Sequence, residues 1–168
     1  GLIIDTNQTI ITPEFLIFTN TDIGSNPIYD SKCIKLTNDR ILISVGISPN
    51  RYIKISNDNT GTTYGTSFIV SNDFTYSDNV TVVPMASSFI MLGTYYQASP
   101  AQQRFRAYTS STNIPTSQTN IIQGTPIDLV TVSGSDDVGG LSNFCMITTT
   151  SFIVTCTQLQ TTPRKYVF

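Results

Sequence analysis

The chain contains no histidine and no tryptophan, and Glu14 is its single glutamate. Without histidine, neither a Ser-His-Asp triad nor a Cys-His dyad can form, and paired carboxylate chemistry is restricted to aspartate. Alanine supplies only four residues, so the best helix former is nearly missing. These absences argue against enzymatic function and against a helical fold.

Charged residues are also scarce, at 12% of the chain, and the formal net charge is -2. A nucleic-acid binder needs a basic face that displaces counterions, and the sequence shows none. Apolar runs are short, as in Phe89 to Leu92, whereas about 20 apolar residues are needed to cross a bilayer. We therefore expect no nucleic-acid partner and no membrane insertion.

Threonine supplies 26 residues and asparagine 12, beside many isoleucine, valine, tyrosine and phenylalanine residues. The β-branched and aromatic side chains suit a pleated, half-buried surface, and Asn, Asp, Gly and Pro mark the turns between strands. This composition predicts a single all-β domain over residues 1–168. A surface of Thr, Ser and Asn with few charges is typical of extracellular proteins, so we expect secretion or display on a virion.

Three stretches of the chain resemble one another, and each carries the same succession of short strands. The units are residues 30–78, 79–128 and an incomplete 129–168, preceded by an N-terminal segment, residues 1–29. A period of about 50 to 60 residues with three or four strands is what one blade of a β-propeller requires. We predict about three antiparallel, propeller-like blades, with a β-sandwich as the alternative.

The repeat alignment also predicts the core. Equivalent positions in the second strands of successive units are expected to be buried, and these are Ile41 and Ile43, Phe89 and Met91, and Phe152 and Val154. Truncating any of them to alanine is expected to cost about 2 to 5 kcal/mol.

A turn in the first unit carries the most specific motif, Ser56-Asn-Asp58-Asn-Thr-Gly61-Thr-Thr63-Tyr64. It resembles the Asp-box of sialidase-like propellers, Ser-x-Asp-x-Gly-x-Thr-aromatic, with one additional residue before the glycine. That family places the box between the third and fourth strands of a blade, where the repeat alignment also places this turn. The resemblance implies a structural role, in which the aspartate caps backbone N–H groups and the glycine adopts a positive φ. A generic polar hairpin turn is the alternative.

Degenerate counterparts of this turn occur at Thr109 to Pro115, which lacks the glycine and the aromatic residue, and at Asp5 to Thr9. Three arginines, Arg51, Arg104 and Arg164, recur at the starts of equivalent strands. The resemblance implies that sialidase-like catalysis needs a cluster of arginines on a complete ring. The observed spacing instead predicts a repeated surface or edge position, which again argues against catalysis.

Four residues belong to weaker surface motifs. Asp136 and Asp137 lie in a glycine-rich loop that is either solvated or able to chelate calcium, and we favour solvation. Asn7 and Asn79 each begin an Asn-x-Thr sequon, which matters only in a secreted protein. We expect no cofactor and no resident metal; a zinc site is improbable because histidine and Cys-x-x-Cys pairs are both missing.

Two of the three cysteines lie on either side of a predicted hairpin in the third unit. If the hairpin is centred between residues 150 and 151, Ile147 faces Val154 and Cys145 faces Cys156. Directly opposed residues have Cβ atoms about 4.5 to 5.5 Å apart, which suits a disulfide. The alternative is that both thiols pack as small apolar groups on the core face. Cys33 is expected to be a buried thiol at an equivalent position.

The predicted strands at the two ends lack partners within their own units. Leu2 to Thr9 and Phe15 to Phe18 match a third and a fourth strand, and Arg164 to Phe168 matches a third strand without a fourth. These strands are completed by folding back, by a neighbouring subunit, or by a longer protein of which this chain is a piece. The residues assigned to these assembly strands are Ile3, Phe15, Ile17, Arg164, Tyr166 and Phe168, and all of them except Arg164 are expected to be buried in such pairing.

Exchange of strands between subunits is our leading hypothesis, because an open sheet edge is an aggregation hazard and head-to-tail addition propagates. It predicts a non-enzymatic structural subunit whose partners are other copies of itself in a filament or oligomer. The alternative is a carbohydrate-binding, adhesive module, such as a tail-fibre or surface lectin domain. Its partners would be surface glycans stacked on Tyr95, Tyr96 and Tyr108, unless these rings fill the gaps between sheets.

Overall fold

The computed structural model describes residues 1, 3–4, 6–47, 49–71, 80–85, 88–98, 101–112, 114–125, 127–131, 142–148, 151–158 and 165–167. Within these residues the helix α1 covers Asn20–Ile23 and a 3-10 turn covers Gln118–Asn120. The strands are β1 (Ile3–Ile4), β2 (Ile10–Thr12), β3 (Asp30–Lys35), β4 (Ile41–Ile47), β5 (Asn50–Ile55), β6 (Phe68–Ser71), β7 (Val80–Met85), β8 (Ser88–Ala98), β9 (Ala101–Ser110), β10 (Ile121–Gln123), β11 (Ile127–Thr131), β12 (Ser142–Met146), β13 (Phe152–Gln158) and β14 (Lys165–Val167). No helix in the described ranges is long and apolar enough to cross a membrane.

The strands form antiparallel sheets in which chain neighbours pair. The first sheet has the order β3-β4-β5-β6, and the second has the order β7-β8-β9-β10 with β11 paired to the other half of β9. The third sheet has the order β12-β13-β14, and β1 and β2 form a separate hairpin. The all-β, antiparallel prediction is therefore confirmed, and no sheet closes on itself among the described strands.

The strands of each of the three larger sheets lie in one of the predicted units, apart from β11, which crosses the predicted boundary at residue 128. The first unit supplies β3 to β6, the second supplies β7 to β10, and the third supplies β12 to β14. Neither β11 nor α1 was expected, and the predicted strand from Phe15 to Phe18 is wrong, because β2 ends at Thr12 just before Pro13. Proline lacks the N–H that a strand interior requires. The side chains of Phe152 and Val154 in β13 lie outside the described part of the chain.

The main core lies between the first and second sheets. Leu42 on β4 pairs with Ile55 on β5, and Ser44 pairs with Ile53, so alternate residues of both strands share one face. The buried members of this core are Leu36, Leu42, Ile53, Ile55, Val70, Val82, Phe89, Met91, Tyr108 and Ile121. Each large apolar side chain buried here contributes about 1.5 to 3 kcal/mol to stability.

A second, smaller core covers the opposite face of the first sheet. Val45 and Ile47 on β4 pack with Ile23 of α1, and half-buried Phe18, Ile43 and Tyr52 surround them. The chain around α1 therefore covers the face of the first sheet that points away from the second. Because β4 is buried on both faces, its sequence is a nearly continuous apolar run instead of a strict alternation.

This two-sided burial corrects the predicted core of the first unit. Phe89 and Met91 are fully buried, as predicted. Ile41 and Ile43 are only half-buried, so that part of the prediction is wrong. Leu42, between them, is fully buried because it faces the second sheet.

Candidate functional site

The turn between β5 and β6 is organised around Ser56, which is buried. Its Oγ accepts a hydrogen bond from the Ile41 backbone N–H at 2.8 Å and donates one to the Asp58 carbonyl at 2.5 Å. The backbone N–H of Asn57 donates to the Thr63 carbonyl at 2.9 Å, which closes the turn. The serine thus links the turn to the start of β4.

The Asp58 carboxylate and Gly61 also have structural roles within this turn. Asp58 Oδ1 accepts hydrogen bonds from the Thr60 hydroxyl at 2.6 Å and the Thr60 backbone N–H at 2.9 Å. These bonds lower the pKa of Asp58, with the hydroxyl contributing most. Gly61 has a φ of +70° and lies against Ile41, so a side chain there would be strained. Burial raises the pKa of the half-buried Tyr64 to about 12, with a smaller contribution from Cys33.

The second sheet has a turn with the same central contact. Ser110 is buried, and its Oγ donates a hydrogen bond to the Thr112 carbonyl at 2.5 Å, two residues later. Ser56 makes the corresponding bond to Asp58 in the first sheet. Ser56 directly follows β5 and Ser110 is the last residue of β9, which are the third strands of their sheets, so the two turns correspond although Thr112 replaces the aspartate.

A buried ion pair attaches the N-terminal segment to the first sheet. The Lys54 Nζ atom, on β5, lies 2.8 Å from Asp22 Oδ2 and donates a hydrogen bond to the Ile17 carbonyl at 2.8 Å. The same ammonium lies 5.3 Å from the centre of the Phe18 ring. Sequence analysis missed this pair, for which the available signal was a lysine between two isoleucines of a buried strand.

Asp22 is held in its charged form by several donors. Besides Lys54, its carboxylate accepts hydrogen bonds from the Thr19 backbone N–H and hydroxyl at 2.7 and 2.9 Å, and from the Ser67 hydroxyl at 3.0 Å. Burial alone raises the pKa of Asp22, but these donors outweigh that effect. The net result is a pKa of about 2, below the ordinary value of 3.8.

Arg51 on β5 forms a second buried ion pair, on the opposite face of the first sheet. Its Nη1 and Nη2 atoms both donate to Asp30 Oδ2 at 3.0 Å, and its Nε donates to Ser44 Oγ at 2.8 Å. A side chain at Gly46 would lie 2.6 Å from Nη1, so the glycine leaves room for the guanidinium. Arg51 is only 2% exposed, and the predicted surface position is therefore wrong for this residue.

The side chains of the other two predicted arginines are not among those that the structure describes. Arg104 lies in β9 opposite Tyr95, and its side chain is outside the described part. Arg164 is outside the described residues altogether. Arg51 is therefore the one member of the predicted set whose surroundings the described part of the chain shows.

The third hairpin has a different register from the predicted one. Cys145 pairs with Ile153, and Cys156 pairs with Ser142. The two cysteines are therefore offset by three positions, about 10 Å along the strands, whereas a disulfide tolerates Cα atoms at most about 7 Å apart. The predicted direct pairing is wrong, because a two-residue hairpin turn needs a positive φ at one or both of its positions, which threonine and serine resist. Cys33 is exposed rather than buried.

Four of the six residues predicted for assembly lie in the described part of the chain. Ile3 lies in β1 and pairs with Thr12, while Phe15 and Ile17 are half-buried and outside any strand. Tyr166 lies in β14 and pairs with Thr157 of β13. The remaining two, Arg164 and Phe168, lie outside the described residues.

Tyr108 fills a gap between sheets, as one interpretation predicted. It is fully buried, and its hydroxyl donates a hydrogen bond to Ser71 Oγ of the first sheet at 3.1 Å. It is therefore not available for stacking on a sugar. The Tyr95 and Tyr96 side chains lie outside the described part.

The surface motifs are only partly visible. Asn7 is exposed between β1 and β2, whereas Asn79, Asp136 and Asp137 lie outside the described residues. Among the residues that the structure describes, no group of three or more His, Cys, Asp or Glu side chains is arranged to hold a metal ion.

A groove of about 350 Å³ lies where the turns of the first and second sheets meet. Its lining includes Arg40, Ser56, Asn57, Thr66, Ile114 and Thr116. The Arg40 Nη1 atom donates a hydrogen bond to the Ser56 carbonyl at 3.3 Å. The Asp-box-like turn and its counterpart in the second sheet therefore form two sides of one concave surface.

Comparison of the chain with protein families, with curated proteins and with solved structures finds no match.

Proposed function

We propose that this chain is a non-enzymatic structural module, located outside the cell or on a virion, which assembles with copies of itself by pairing β-strand edges. The observation that supports the proposal is the unequal size of the sheets. The first sheet has four strands, whereas the described part of the third has three and the β1–β2 hairpin stands alone. A two-stranded hairpin is marginally stable by itself, and added strands would stabilise it.

The hairpin surface has the character of a contact surface. Ile10 and Ile11 are neighbours on β2 and are 61% and 64% exposed. Exposed edge strands in soluble monomers usually carry lysine or proline, which oppose edge-to-edge pairing. Two adjacent isoleucines on β2 instead favour burial against another strand.

The stacking of the first two sheets supports a propeller-like arrangement within the module. Their first strands are close, since the Thr37 hydroxyl near β3 donates to the Met85 carbonyl of β7 at 2.7 Å. Their fourth strands are also close, since Gln123 of β10 donates to the Val70 carbonyl of β6 at 3.4 Å. Sheets stacked face to face with corresponding strands adjacent are the relation between neighbouring blades.

The polar clusters support a structural rather than a catalytic role. Arg51 and Lys54 each hold a carboxylate in a buried pair. Asp58 is bonded to its own turn. These groups stabilise the positions of strands and turns, as expected of a scaffold.

The proposal is tested by charging the exposed hairpin. The double variant Ile10→Lys and Ile11→Lys places two like charges on β2 without removing a buried side chain. Leu16→Lys is the matched control, since Leu16 is 83% exposed and lies outside any strand. We expect the unmodified protein and the control to assemble with increasing concentration in sedimentation velocity, and the double variant to remain monomeric.

Two results would contradict the proposal. A protein that stays monomeric at every accessible concentration would show that the open edges do not associate. Assembly that persists unchanged in the double variant would exclude β2 as the pairing edge, and circular dichroism of each variant confirms that the fold is retained.

A further inference from the structure

The lining of the groove between the two turns contains one charged side chain in the described part, Arg40, and no carboxylate. The Asp58 carboxylate lies outside this lining, although it is near enough for the charge of Arg40 to contribute to its lowered pKa. An arginine fork presents five N–H donors and matches the two oxygens of a carboxylate. The groove therefore favours an anionic group over a cation.

Arg40 is held in position while most of its donors stay available. Its backbone N–H donates to Asn38 Oδ1 at 3.2 Å, and its carbonyl accepts from the Leu36 N–H at 2.8 Å. The guanidinium makes one long bond, to the Ser56 carbonyl at 3.3 Å. A fixed backbone with an incompletely used guanidinium is suited to bidentate binding of a ligand carboxylate.

The rest of the groove combines polar groups with an apolar wall. Asn57, Thr66 and Thr116 are exposed and carry amide or hydroxyl groups, while Ile114 contributes an apolar side chain that is 40% exposed. A volume of about 350 Å³ is at the lower end of ligand pockets, so one small ring is the appropriate size. We infer that this groove binds an acidic monosaccharide, with its carboxylate on Arg40 and its hydroxyls on the polar rim.

This inference does not depend on assembly, because one chain forms the whole groove. It is tested by titrating isotope-labelled protein with glucuronate and following backbone amide signals. We expect saturable shifts centred on Asn57, Thr66 and Thr116, with a Kd of about 1 to 10 mM, as suits one ion pair and a few hydrogen bonds. Glucose and acetate, which each carry half of the recognised chemistry, are expected to bind at least tenfold more weakly.

Variants separate the groove from general charge effects. Arg40→Gln is expected to weaken glucuronate binding at least tenfold, whereas Lys35→Gln, which removes an exposed charge outside the groove, should leave it unchanged. Ile114→Asp keeps Arg40 and places a competing carboxylate at the rim, so it should also abolish binding. This variant keeps the test valid if Arg40→Gln fails to fold.

Several outcomes would overturn the inference. These are an absence of saturable shifts up to about 50 mM glucuronate, equal binding of acetate, or shifts that persist in Ile114→Asp.

Discussion

The replacement Asp22→Asn tests the buried ion pair that attaches the N-terminal segment to the first sheet. The side chains of Asp22 and Lys54 are only 16% and 11% exposed. Asparagine keeps the size of the aspartate but removes its charge. Lys54 then remains largely buried with the Ile17 carbonyl as its main described acceptor.

The expected cost follows from this burial. Removing one partner of a fully buried pair costs about 3 to 5 kcal/mol, because the other charge is left uncompensated. The residual exposure of both groups and the bond to Ile17 reduce the figure to about 2 to 4 kcal/mol. With a urea dependence of about 2 kcal/mol per molar, the midpoint of unfolding should fall by about 1 to 2 M.

Urea unfolding followed by far-ultraviolet circular dichroism measures this shift. Asp39→Asn is the matched control, because Lys35 and Asp39 form a pair of similar length, 2.7 Å, with both side chains 64% exposed. Its cost should stay below about 1 kcal/mol. Equal costs for the two variants would refute the argument that burial, rather than distance, gives the Asp22 pair its strength.

Three further predictions follow from the same structure. Because the pKa of Asp22 is about 2 when folded and about 3.8 when unfolded, its ionisation stabilises the fold above pH 5; in pH-dependent urea titrations about 1 to 2 kcal/mol should disappear between pH 5 and pH 2, but not in Asp22→Asn. Leu42→Ala should cost about 2 to 5 kcal/mol and Ile43→Ala about 1 to 2, whereas equal costs would contradict the observed facing of β4. A thiol assay under denaturing, non-reducing conditions should find no disulfide between Cys145 and Cys156, and an oxidised pair would contradict the observed register.

The sequence predicted the strands well because the relevant signals are local. The first sheet is delimited by turn residues such as Asp39, which adopts a φ of 64°, and Gly61. Alternating β-branched residues between such turns are sufficient to locate strands. The turn at Ser56 could also be predicted from the sequence, since its hydrogen bonds join residues that are close in the chain.

The register of the third hairpin could not be predicted from the sequence in the same way. The run Thr148-Thr-Thr-Ser151 offers no residue that fixes a tight turn. The structure closes this turn through the Ile147 N–H, which donates to the Ser151 carbonyl at 2.9 Å. Strands with weak face polarity slip easily, so the pairing of the cysteines needed tertiary information.

The candidate groove could not be predicted from the sequence, for a related reason. Arg40 and Thr116 are far apart in the chain and meet only because the two sheets stack face to face. No local motif joins them, and the sequence offers only the turns on either side.

The two buried ion pairs together suggest how β5 obtains its register. Arg51 and Lys54 are three residues apart, so they point to opposite faces of the first sheet. Asp30 neutralises Arg51 on one face, and Asp22 neutralises Lys54 on the other. Because β5 is buried or half-buried on both faces, hydrophobic pattern alone would specify its register weakly, whereas a slip of one residue would separate both cations from their carboxylates. These four charges are therefore placed where apolar packing would otherwise leave the position of β5 ambiguous.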